Sequence, residues 1–153
     1  MANIVLNIAK GRVVEYYNRV ENNDPANSAI ILVPIETTGL EADSVLIDAD
    51  TLTAVLAGAT NEQTTMGRKT LTDADLAALP APDDANDRFD VSLPTVTWAA
   101  AAGNPISKIL VCYDSDTTGG TDANIIPLTM FDFVQTPSGS DIQMTTGVFF
   151  RAS

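Results

Sequence analysis

The sequence has no histidine, one cysteine and one tryptophan, and it sets 8 basic residues against 20 acidic ones. Without histidine, the usual proton-transfer group at neutral pH is missing, and so is every Ser–His or Cys–His nucleophile pair. A single cysteine, Cys112, excludes an internal disulfide and any cysteine-cluster zinc site. It lies inside an apolar run and reads as a small buried hydrophobe. The formal charge of -12 repels phosphate backbones, so nucleic acid is not an expected partner. No apolar run approaches the roughly 20 residues of a membrane span, and MANIVLNIAKGR has no basic region ahead of its apolar residues. The expectation is a soluble chain made in a cytoplasm, with no membrane partner. No Gly-rich phosphate loop ending in Gly-Lys-Ser/Thr occurs.

What remains is a chain of 153 residues, 45% hydrophobic and 18% charged, the size and composition of one domain with a real core over 1–153. The stretch around which the rest is organised is Ile109 to Leu128. Ile109 to Tyr113 form an apolar run of strand formers. Asp114 to Asp122 are turn chemistry, in which Gly119 and Gly120 offer positive φ and the Asp side chains can bond nearby backbone. Ile125 and Ile126 open a return strand.

The chain before it carries mixed signals. Ile4 to Ile8 is an apolar arm, either a first strand or a partner-binding tail. Gly11 to Glu21 places Val13, Tyr17 and Val20 at helical spacing, and Asn22 to Pro25 stop it. Tyr16 and Tyr17 read as packing residues. Ser28 to Ile35 is a strand whose Pro34 end should lie at an edge or bulge. Leu40 to Ile47 is ambiguous. Thr51 to Ala57 reads as a short helix capped by Asp48 or Asp50 and stopped at Gly58. Lys69 to Leu71 suits a brief strand. Thr72 with Asp75 suits the start of another short helix burying Leu76 and Leu79, ended by Pro80 and Pro82. Ala81 to Asp87 reads as an exposed connection.

Strand signals then dominate: Phe89 to Leu93 alternate, Thr95 to Trp98 follow Pro94, and Ala99 to Gly103 is flexible or helical. Trp98 reads as a core or lid aromatic. Ile125 to Val134, Ile142 to Met144 and Val148 to Phe150 complete the set. Helices early and strands late predict an α+β fold. Its core is an antiparallel sheet, a meander or a sandwich, built mainly by the C-terminal half. Two or three short helices belong to the N-terminal half.

Three chemical patterns were weighed. Asp116-Thr117-Thr118-Gly119 is superficially like an aspartic-protease signature, but an extra Thr separates acid from Gly and no second copy supplies the partner carboxylate. Asp114, Asp116 and Thr118 followed by Gly119 match the first half of an EF-hand loop, yet Ile125 stands where the bidentate Glu belongs. That leaves either a hairpin loop capped by its own side chains or a looser calcium site of Asp114, Asp116 and Asp122. The remaining acids sit in loops such as Asp83-Asp84, where solvation explains them. No catalytic, cofactor or metal residue is assigned, and no enzyme is expected.

A resemblance carries the reading further. It rests on NIAKGR near the N-terminus, NDPANSA (Asn23 to Ala29), TTGLEAD (Thr37 to Asp43), NEQTTMGRK (Asn61 to Lys69), LTDADLAALPAPDD (Leu71 to Asp84), CYDSDTTGGTD (Cys112 to Asp122) and the closing FFRAS. In this order they resemble the small virion structural proteins of tailed bacteriophages encoded near the major capsid protein, of the capsid decoration or cement type. The resemblance spans nearly the whole chain. It implies a partner in the major capsid protein, self-association as a homotrimer, and a place on the outer face of the phage head. It implies no catalytic residues. The arm Ile4 to Ile8 and the terminal Phe149-Phe150-Arg151 are the expected contact segments, with an edge strand of the protein's own sheet as the alternative for the arm. The rival role is a tail, fibre or other minor virion component, which predicts an exposed aromatic patch around Trp98 or Tyr113.

Overall fold

The computed structural model describes residues 4–153. Its framework is a five-stranded antiparallel sheet in the order β1-β7-β6-β2-β3. These are β1 (Ile4–Val5), β2 (Ala29–Glu36), β3 (Lys69–Leu71), β6 (Ile106–Asp114) and β7 (Ile126–Gln135). The β6–β7 hairpin is the predicted strand–loop–strand unit, and β2 lies on the other side of β6, pairing Ile31 with Cys112 and Val33 with Leu110. β2 and β6 are buried along nearly their whole length. Both faces of the sheet are covered, and for that reason these strands read as continuous apolar runs rather than alternating ones.

One face is covered by α1 (Val13–Glu21) and by two small ribbons. In these ribbons β4 (Phe89–Leu93) pairs with β9 (Gly147–Ala152), and β5 (Val96–Trp98) pairs with β8 (Ile142–Met144). The expected antiparallel pairing holds. Its connectivity is nested rather than consecutive, because β4 and β5 reach past the β6–β7 hairpin to the last two strands. Beneath α1 and the ribbons lie Tyr16, Tyr17, Trp98, Tyr113, Phe131 and Phe149. The other face packs Ala29, Ile31, Val33, Ile35, Leu110, Cys112 and Met130. Its cover is Leu6 with the one-turn helices α2 (Asp43–Leu46) and α3 (Leu52–Val55), through Leu46, Leu52 and Val55.

Several local expectations change. The apolar arm forms the edge strand β1 and a 3-10 turn (Asn7–Ala9), with Leu6 fully buried. Thr51, not Asp48 or Asp50, caps α3: its hydroxyl accepts a bond from the Ala54 N–H at 3.1 Å. α3 ends at Val55, well before Gly58. Thr72 and Asp75 close half of the expected box, Thr72 N–H and hydroxyl donating to the Asp75 carboxylate at 2.9 and 3.1 Å while the Asp75 N–H goes to the Thr72 carbonyl at 3.0 Å. It makes a single turn and no helix. Pro80 arrives too soon for a helix to propagate beyond its costly nucleus. The segment is held from outside instead, by the Tyr17 hydroxyl donating to the Ala77 carbonyl at 2.8 Å.

Pro34 lies within an interior strand, and of the two places expected for it, an edge or a bulge, it takes the second. Its carbonyl accepts from the Gln63 N–H at 2.9 Å, and β3 pairs only with Ile30 to Leu32. The missing N–H therefore falls past the end of β3, beside a loop, with a bulge at Ile35/Glu36. Gly119 and Gly120 are not among the positive-φ glycines. Gly120 serves by having no side chain: a Cβ there would sit 3.0 Å from the Asp116 carbonyl and 3.3 Å from the Asp114 carboxylate.

Candidate interaction surface

The Asp-rich loop between β6 and β7 is built from inside. The Asp114 carboxylate, buried at the end of β6, accepts the Asp116 N–H at 3.0 Å, and the Asp116 carboxylate accepts the Thr118 N–H at 3.0 Å. The Thr118 hydroxyl also donates to Asp116, and these bonds hold its pKa below the usual carboxylate value. Asp122 turns away from both. It takes a two-pronged bond from Arg68, at 2.7 and 2.9 Å, while Glu62 grips the same guanidinium at 2.6 and 2.8 Å. The structure thus splits the three acids of the looser calcium reading into a capped turn and an ion pair. Among the described residues, no group of three or more His, Cys, Asp or Glu side chains converges as a metal site.

Arg68 is the residue that sequence reasoning passed over. The only hint was that it lies in the one locally basic spot of an acidic chain. Hydrogen bonds to Asp122 and Glu62 raise its pKa against the opposing effect of burial, and the bond from Arg68 lowers that of Asp122. The clamp ties the loop before β3 to the loop before β7. A second paired cation, this one buried, holds α2 to β7 at the far end of β6. Lys108 Nζ lies 2.8 Å from Asp132 and 3.2 Å from Asp43, which opens α2. Burial pulls its pKa down, and the two acids outweigh that and hold it above the usual lysine value.

Cys112 is fully buried, as expected, and burial pushes its thiol pKa up, so the thiolate is strongly disfavoured. Trp98 and Tyr113 are both buried. The Trp98 indole N–H donates to the Gly67 carbonyl at 3.0 Å, and Tyr113 stacks on Tyr16 with ring centres 4.6 Å apart. Neither ring is available as an exposed platform.

The feature that faces outward is apolar. A cleft of about 240 Å³ opens where the end of β7 meets the β8–β9 turn, with Leu93, Phe133, Met144, Val148 and Phe149 in its lining. Val148 and Phe149 continue into a second concavity with Val5, Phe150 and Arg151. Of the expected contact segments, Phe149 is buried, Phe150 half-buried, and Arg151 is held by Asp90 at 2.6 and 2.9 Å. Val5 of the arm borders the same surface. No residue lining the main cleft is charged, and between Phe133 and Phe150 only Asp141 is. Its carboxylate is engaged by the Ala100 N–H at 2.8 Å. In a chain of net charge -12 this is an uncharged window. No helix among the described residues is long and apolar enough to cross a membrane. Protein-family models, curated proteins and solved structures were compared with this chain, and none of them matches it.

Proposed function

We propose that this protein is a bacteriophage capsid decoration, or cement, protein. It binds the outside of the head, stabilises contacts between major capsid subunits, and has no enzymatic role. The observation that carries the reading is the ordered set of sequence words, from NIAKGR to FFRAS, that resembles small virion structural proteins. The physical character of the chain supports it. An acidic exterior suits the outside of a shell better than its DNA-filled interior. Arg68 ties two connecting loops together and Lys108 holds α2 to the sheet, which favours a rigid body over one that closes around a substrate. The burial of Trp98 and Tyr113 removes the aromatic platform that a host-surface-binding tail component would use.

The test is position and stoichiometry in purified particles, by labelling this chain and imaging it. Many copies spread over the head are the expected result. A few copies confined to the tail would replace this reading with the minor-component one.

A further inference from the structure

We infer that the uncharged window around Val148 is where one copy of this protein meets another. The starting point is charge. Two copies each carrying -12 repel one another as they approach. Contact between them is least opposed where the surface has no charge. The cleft lined by Leu93, Phe133, Met144, Val148 and Phe149 meets that condition, and Val148 is 41% exposed at its rim. A basic partner would instead be drawn to the acid-rich loops, Asp83-Asp84 among them, which lie elsewhere on the chain. The window therefore fits a second copy better than a cationic protein. Val148 and Phe149 also border the neighbouring concavity of Val5, Phe150 and Arg151, where the one charged side chain is already paired with Asp90, so an apolar side chain from the other copy would seat beside Val148. This deepens the proposed function and rests on it for the purpose of the assembly.

Sedimentation velocity on the purified chain, across a concentration series and at two salt levels, tests the inference without any shell present. The wild type is expected to self-associate, and more strongly at higher salt, because screening relieves the repulsion between copies. Val148→Glu puts a charge into the window and should weaken association by about tenfold or more. Val45→Glu changes a still more exposed valine, on α2, and should leave association unchanged. Circular dichroism melts of both variants establish that they fold. A monomeric wild type, association that falls with salt, or a folded Val148→Glu that associates normally would overturn the inference. Adding purified shells separates the two proposals. A wild-type monomer that binds shells, and loses binding through Val148→Glu, assigns the window to the shell subunit and leaves decoration standing. Failure of every form to bind shells removes decoration and leaves the self-contact to stand on the sedimentation result alone.

Discussion

The two faces of the central sheet are built from different materials. In its apolar cluster one buries aliphatic side chains, Met130 and Cys112, with no aromatic ring among the described residues. The other takes all five phenylalanines, all three tyrosines and the single tryptophan, fully or partly buried. The covers differ in the same sense. The aliphatic face lies under one-turn helices and a 3-10 turn, elements too short to hold themselves. The partly buried Arg68 and the buried Lys108 both serve that side, where one joins two loops and the other holds α2 to β7. The aromatic face lies under a nine-residue helix and two ribbons, and its rings lock one another: Tyr16 on Tyr113, Tyr17 beside Phe149, Trp98 beside Phe133. Large rings give much contact area per residue at little entropic cost. The lesson is that a sheet can be sealed by area on one side and by charge on the other.

Substitutions can break that contrast. The largest expected loss is Trp98→Ala, about 3–5 kcal/mol in urea denaturation, since it removes a buried ring and the partner of the Gly67 carbonyl. A loss below about 1 kcal/mol would show that the aromatic side is not sealed by its rings. Leu110→Ala on the opposite face should cost about 3 kcal/mol. Because the two residues belong to separate clusters, the double variant should add the losses to within about 0.5 kcal/mol. Coupling well beyond that would mean that the faces are not independent.

Arg68→Met should cost about 1–3 kcal/mol at neutral pH, from lost charged hydrogen bonds to a half-buried Glu62 and a partly exposed Asp122. Its pH signature is more telling. The folded pKa of Asp122 is depressed, so its contribution is complete above the unfolded value of about 4 and disappears as pH falls through the folded value. The variant should therefore lose stability less steeply than the wild type in acid below about pH 4, as read from melting temperatures. Equal acid slopes would remove the clamp from the account. The smallest change is Cys112→Ala, about 1 kcal/mol, for a small buried side chain. The wild-type thiol should resist alkylation until the chain unfolds. Rapid labelling of the native protein would mean that the aliphatic face opens on its own.

Much of this architecture was legible in residue order, for a physical reason. β2 and the stretch of β6 from Ile109 to Tyr113 are covered on both sides, so their sequences are apolar without interruption. α1 has one covered side, so Val13, Tyr17 and Val20 repeat at helical spacing. Local rules failed where distant partners decide. The Thr72–Asp75 box promised a helix, and Pro80 together with Tyr17 made it a tethered turn. Gly119 and Gly120 suggested positive φ, whereas Gly120 is needed for the closeness of Asp114 and Asp116. The Asp114/Asp116/Asp122 loop looked like one cluster because its members are neighbours in sequence. Asp122 answers to Arg68, 54 positions away, and nothing in either local stretch announces that bond. The apolar window was only half visible: Phe149-Phe150 stood out, but Leu93, Phe133 and Met144 meet them through the nested ribbons.

That nesting bears on how the chain comes off the ribosome. β2, β6 and the β6–β7 hairpin can assemble without β8 and β9, since their pairings are all made within the stretch up to Gln135. β4 and β5 cannot, because their partners are the last strands in the chain. Until Gly147–Ala152 emerges, Tyr17 lacks the ring that covers it, and a side rich in aromatics stands open to water and to neighbouring chains. Until these two ribbons close, aggregation competes with their pairing.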